Sequence, residues 1–156
     1  MNLENILITG SSGLIGTPLV TKLLDKSNLI IGVDPIINSQ SNKNYKHISI
    51  PLKSVENVVS LLKKYDITKI IHTGGISGPM LANENPNLII ENNVFFTMYL
   101  VEAARIYRKI NRFIFCSSIS AYGELAESNT TEEYRFAPEN LYGATKASSD
   151  LLLKKY

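Results

Sequence analysis

Tyr142 and Lys146 stand four residues apart in the stretch "LYGATKASSDLLLKKY". That spacing puts two side chains on one face of a helix, where a phenol and an ammonium can act together. A free phenol gives up its proton only near pH ~10, so making it a base near pH ~7 takes about 3 units, or roughly 4 kcal/mol. One ammonium about 4 Å away, at an effective dielectric of about 20, supplies an energy of that size before desolvation is subtracted. The chemistry this permits is removal of a proton from a substrate hydroxyl. Taken alone, the pair reads more simply as the solvated face of an amphipathic helix. Its meaning therefore depends on the elements that precede it.

Those elements alternate. "NILIT" (5–9), "NLIIGVD" (28–34), "YKHISI" (45–50), "TKIIHTG" (68–74) and "RFIFCSS" (112–118) are short apolar runs of the kind that form buried parallel strands. Between them, "LIGTPLVTKLLDK" (14–26) aligns Ile15, Leu19, Leu23 and Leu24, and "SVENVVSLLKKY" (54–65) aligns Val55, Val58, Val59 and Leu62, each along a helical stripe. Asn85 and Pro86 read as the cap and first residue of a long helix through "NLIIENNVFFTMYLVEAARIYRK" (87–109). The stretch around Tyr142 supplies the last helix. Strands alternating with helices predict one α/β domain over 1–156, a Rossmann-like doubly wound parallel sheet.

Composition narrows the partners. Hydrophobic residues at 44% and charged residues at 19% fit an ordinary globular domain. A net charge of only +2, with no dense basic stripe, gives no electrostatic case for nucleic acid or a membrane surface. The single cysteine, Cys116, cannot form an intrachain disulfide. No signal-peptide pattern opens the chain, and no run approaches the ~20 apolar residues of a membrane helix. A cytoplasmic location is the expectation.

In parallel α/β sheets the chemistry gathers at the carboxyl ends of the strands. The first strand ends in "TGSSGLIG", where Gly10, Gly13 and Gly16 permit a tight turn and close approach of backbone to a pyrophosphate at a helix N-terminus. A dinucleotide is the expected ligand. Asp34, 18 residues beyond Gly16, ends the second strand and can accept from ribose hydroxyls while repelling a 2′-phosphate. No lysine or arginine lies in the glycine loop, so NAD is favoured over NADP. Ser118 closes the fifth strand, where a hydroxyl could hold a substrate oxygen. Ser117 and Ser120 compete for that part, and any of the three could simply end the strand on backbone. His72 and His47 read as structural, Cys116 as core, no metal cluster is visible, and "TTEEY" around Glu132 reads as solvated charge.

Together "TGSSGLIG", Asp34, "IIHTGG", "NNVFFTMYLVEAAR", "FIFCSSISAYG" and "PENLYGATK" make the chain resemble the extended short-chain dehydrogenase/reductases, among them the NAD-dependent sugar-nucleotide epimerases and dehydratases. The resemblance implies a catalytic group of Ser118, Tyr142 and Lys146. It also implies pyrophosphate binding at the Leu14 and Ile15 backbone, and Thr73, Gly74 and Asn93 beside the NAD site, with Lys146 also on the ribose. It further implies strand order 3-2-1-4-5, a nucleotide-sugar substrate and a homodimer through the long helix and the Tyr142 helix. Members run about twice this length, so a sixth strand and a substrate lobe are expected outside the chain. Several positions depart from the pattern. Pro51 replaces an aspartate that contacts adenine, "HTGG" should loosen the loop beside the cofactor, and Phe96 stands where glycine is frequent. Ile119, Ser120 and Ala121 include no acidic pair, which disfavours 4,6-dehydration and leaves epimerisation or simple oxidoreduction. The other reading is a noncatalytic dinucleotide-binding or interaction module that retains the motifs.

Overall fold

Five parallel strands in the order β3-β2-β1-β4-β5 form one sheet. They are β1 (Asn5–Thr9), β2 (Leu29–Val33), β3 (Tyr45–Ile48), β4 (Lys69–His72) and β5 (Arg112–Phe115). The structure, a computed structural model, describes residues 4–37, 40–49, 51–77, 85–124, 131 and 133–156. By its contacts the chain divides into two units, Met1–Gly74 with Tyr99–Cys116, and Gly75–Met98 with Ser117–Tyr156.

The first unit holds the whole sheet. Its register aligns Thr9 with Val33 on one side and His72 on the other, so the three central strands finish level. Gly10, Asp34 and Thr73 therefore leave the sheet along one edge. Leu7, Ile8, Ile30, Ile31 and Ile70 are fully buried, as apolar runs in a parallel sheet should be. Helix α1 (Gly16–Leu23) lays Val20 into a core of Ile6, Ile8, Leu24, Ile30 and Tyr45. Helix α2 (Val55–Lys64) starts at Ser54, whose side chain accepts from the Asn57 amide (3.3 Å), and buries Val58, Leu61 and Leu62.

The elements are shorter than the sequence predicts, because a strand extends only as far as its neighbour offers partners. β2 and β3 stop together, with the Asp34 amide on the Ile48 carbonyl as their last bond (3.2 Å). Ile50 lies outside the described residues. β4 and β5 stop together with the Cys116 amide on the His72 carbonyl (3.0 Å). Ser118 is thus not the end of a strand but stands three residues beyond β5, and Cys116 is half-buried just past the strand rather than core. Helix α1 likewise begins at Gly16. Ile15, expected on its buried stripe, is the N-cap and exposed.

In the second unit, Asn85 caps α3 (Pro86–Ile90) by accepting from the Leu88 amide (3.1 Å), and Pro86 takes the first turn. The expected unbroken helix contains a π-helical turn, Glu91–Phe95, before α4 (Phe96–Tyr107). Within that turn the Asn93 carbonyl receives the hydroxyls of Thr97 (2.6 Å) and Ser149 (3.1 Å). Arg108, at φ +62°, ends the helix, leaving Arg108 and Lys109 outside it. A 3-10 turn, Ile119–Ala121, precedes α5 (Leu141–Leu153), whose cap Asn140 accepts from the Gly143 amide (2.8 Å). A Cβ on Gly143 would lie 2.2 Å from the Ser120 carbonyl oxygen, so only glycine lets α5 seat on the turn that carries Ser120.

Replacing Ile8 by Ala in the centre of the sheet should lower unfolding free energy by about 2–5 kcal/mol, read as a lower urea midpoint at unchanged slope.

Candidate functional site

The loop between β1 and α1 is closed by its glycines. Gly10 sits at φ +68°, and a Cβ there would meet Gly74 at 2.7 Å. A Cβ on Gly16 would lie 2.0 Å from the Gly10 carbonyl oxygen, which instead accepts from the Gly13 amide (3.0 Å). Gly13 meets nothing nearer than that same oxygen at 3.2 Å, so the outer side of the turn is bare backbone. Leu14 is 95% exposed and Ile15 54%, and among the described residues nothing accepts from their amides. Two free N–H groups at the start of a helix, with the helix dipole behind them, fit an anion of pyrophosphate type.

Asp34 follows β2 directly. One carboxylate oxygen accepts from the Ser12 amide (3.2 Å) and the other from the Ile36 amide (2.9 Å). Each oxygen retains a lone pair, so the carboxylate is oriented and can still accept from ribose hydroxyls. The glycine loop and the acidic residue of the sequence pattern are thus joined in one unit, and their donor and acceptor set fits a dinucleotide.

Thr73 and Gly74 are tied rather than loose, contrary to the expectation from "HTGG". The Thr73 hydroxyl donates to the Thr9 carbonyl (2.8 Å), and the Gly74 amide donates to the Thr9 hydroxyl (3.3 Å). That hydroxyl also lies 2.6 Å from Nδ1 of the fully buried His72. Gly74 is small for a reason, since a Cβ there would come within 3.1 Å of the same hydroxyl.

The second unit carries the other four predicted residues. Tyr142 is half-buried in the first turn of α5, and Lys146, four residues on, is 6% exposed. The Ser118 Oγ accepts from the Ser120 amide (3.2 Å) as cap of the 3-10 turn. Among the described residues, no acceptor takes the Ser118 hydroxyl proton, and the Tyr142 hydroxyl bonds none of them. Ser117, its competitor, is committed instead, donating to the Asp150 carboxylate. Asn93 is 2% exposed and uses all its amide hydrogens inside the protein. It accepts from the Ile76 amide (2.7 Å) and donates to the Ile76 carbonyl (3.0 Å) and the Thr145 hydroxyl (3.1 Å). It fastens the segment after Gly75 to the residue before Lys146. A Cβ on Gly75, at φ +135°, would lie 2.8 Å from Asn93 Oδ1 and 3.8 Å from Lys146 Nζ.

Sequence reasoning passed over Gly32 and Tyr45. The signal was there, because a glycine inside a buried strand marks close approach of another group. Among the described residues no group of three or more His, Cys, Asp or Glu is arranged to hold a metal ion.

Comparison with known proteins gives a consistent picture. A model of the NAD dependent epimerase/dehydratase family matches residues 6–156. An uncharacterised protein of Methanocaldococcus jannaschii is 31% identical over the whole chain, which covers 52% of that relative. The UDP-glucose 4-epimerase of Thermus thermophilus, solved in complex with NAD, superposes with a TM-score of 0.85 at 26% identity, over 97% of this chain and 50% of that one. The UDP-N-acetylglucosamine 4-epimerase of Methanobrevibacter ruminantium, in complex with UDP-N-acetylmuramic acid, gives 0.88 at 26% identity, over 99% and 51%. The chain spans about half the length of these relatives.

Gly16→Ala should force the loop open, lowering the melting temperature and abolishing NAD binding in calorimetric titration. Gly13→Ala, which meets one oxygen only, should keep the fold while weakening NAD about tenfold or more.

Proposed function

The chain belongs to the NAD dependent epimerase/dehydratase family, and we propose that it is the cofactor-binding part of an NAD-dependent epimerase or oxidoreductase acting on a hydroxyl of a sugar nucleotide. NAD supplies the hydride acceptor and donor. The Leu14 and Ile15 amides hold its pyrophosphate, and Gly10, Gly13 and Gly16 let the backbone come close. Asp34 accepts from the adenosine ribose, and Thr73 and Gly74 border the same site. Tyr142 takes the proton of the substrate hydroxyl at its phenolic oxygen, and Lys146 holds positive charge close to that oxygen and binds the second ribose. Ser118, its own proton unspent, donates to the reacting substrate oxygen. Asn93 serves the site by holding Ile76 and Thr145 in place.

One arrangement carries the reading. Two hydroxyls without an acceptor among the described residues, Ser118 and Tyr142, share a unit with a buried lysine one helical turn beyond the tyrosine. A buried ammonium is costly, and such groups concentrate where a charge is used. The sugar-nucleotide substrate is supported by the two epimerases described above. Ile119, Ser120 and Ala121, without an acid among them, favour epimerisation or simple oxidoreduction over dehydration. A homodimer is part of the same proposal, and Leu88, Phe95 and Leu151 expose apolar surface that such an interface would cover. No helix among the described residues is long and apolar enough to cross a membrane.

In the complete enzyme, Tyr142→Phe should reduce turnover by about 10²- to 10⁴-fold and leave the NAD dissociation constant within about threefold, measured by steady-state kinetics beside calorimetry. Turnover at the original rate would remove Tyr142 from the mechanism.

A further inference from the structure

Beneath the glycine loop, β3 carries a hydrogen-bonded chain that the cofactor reading leaves unused. Tyr45 is buried and leans across Gly32 of β2, where a Cβ would lie 2.2 Å from the phenolic oxygen and 2.7 Å from Ser11 Oγ. The phenol reaches Ser11 Oγ at 3.4 Å and His47 Nδ1 at 3.0 Å. His47 Nε2 in turn lies 3.1 Å from the Asp34 carbonyl oxygen. We propose that Tyr45 and His47 are positioning residues for the adenosine half of the dinucleotide, acting through Ser11 and the main chain of Asp34. The inference rests on the cofactor reading above.

Elementary hydrogen-bond chemistry fixes the direction of the chain. A carbonyl oxygen only accepts, so the hydrogen of a neutral His47 ring must sit on Nε2, and this assignment leaves Nδ1 bare. Tyr45 must then donate to Nδ1, with Ser11 Oγ 3.4 Å from the same phenolic oxygen. A phenol holds its proton at neutral pH in any case, and burial raises its pKa further; the bond to Ser11 works against that rise, and the Asp34 charge adds to it. The Asp34 amide is held by the Ile48 carbonyl (3.2 Å) and its carbonyl by His47, so β3 grips both sides of the residue. With its main chain fixed, the carboxylate meets the Ser12 and Ile36 amides and presents its remaining lone pairs in one direction. Ser11, beside Gly10, is the other end of the chain. One polar relay thus sets the backbone on both sides of the adenosine site, and Gly32 is the gap that admits it.

The test is calorimetric titration of the purified protein with NAD and with ADP, the adenosine half alone. Tyr45→Phe and His47→Leu should each weaken both ligands by the same factor, about three- to tenfold. His47→Gln, whose amide can still donate to the Asp34 carbonyl, should stay within about twofold of the original. Turnover of the complete enzyme at saturating NAD should not change in any of the three. ADP binding unaltered by Tyr45→Phe and His47→Leu would overturn the proposal, as would His47→Gln losing as much as His47→Leu, or NAD weakening without ADP. Should His47→Leu fail to fold, Tyr45→Phe removes a single oxygen, and its ADP affinity alone decides the matter. An unaltered protein that binds neither NAD nor ADP would defeat the cofactor reading itself, a result distinct from all of these.

Discussion

The level finish of β1, β2 and β4 is the constraint on which the dinucleotide site depends. Parallel pairing puts Thr9 between Val33 and His72, and each strand then turns out of the sheet at the next residue. Gly10, Asp34 and Thr73 come to one edge because their strands end in register, not because they attract one another. A slip of one residue in any of these pairings would send the flanking side chains to the opposite face and pull Asp34 away from Ser12. The buried isoleucines and leucines hold that register, so the glycine turn is secured by hydrophobic burial several residues away.

Local chemistry was the part most legible in sequence. Glycine spacing, the cap Asn85 and Pro86 in a first turn each act within a few residues, and each stands where the pattern put it. The strand order also follows the expectation. What could not be read were features set by partners distant in sequence. β5 ends at Phe115 because β4 ends at His72, which turns Ser118 from a strand terminus into a cap. The π turn holds the Asn93 carbonyl that both Thr97 and Ser149 bond, and nothing in "ENNVF" alone announces that. Glu132 and Ile50 lie outside the described residues.

Asn93 shows why a motif residue and its work are separate questions. The family resemblance puts it beside the cofactor site, and its amide is spent on Ile76 and Thr145. Satisfying every donor of a buried amide leaves a rigid fastener, whereas one unspent donor would leave a ligand. Ser117 and Ser118 separate by the same logic. The first gives its proton to Asp150, and the second accepts an amide and keeps its proton.

That accounting also explains why so polar an interior is tolerated. Thr97, Thr145, Ser149 and Asn93 are all buried, and each bonds backbone or another member of the group. A network satisfied in this way costs little relative to an apolar core, while its geometry is far more specific. An apolar replacement would keep α5 against the π turn but would not fix where along its axis the helix sits. Two hydrogen bonds of 3.1 Å do fix it, from the Asn93 amide to the Thr145 hydroxyl and from the Ser149 hydroxyl to the Asn93 carbonyl, and they flank the buried Lys146 on its own helix. Positional precision at the buried Lys146 is the property such an interior provides, and apolar packing alone would leave it undetermined.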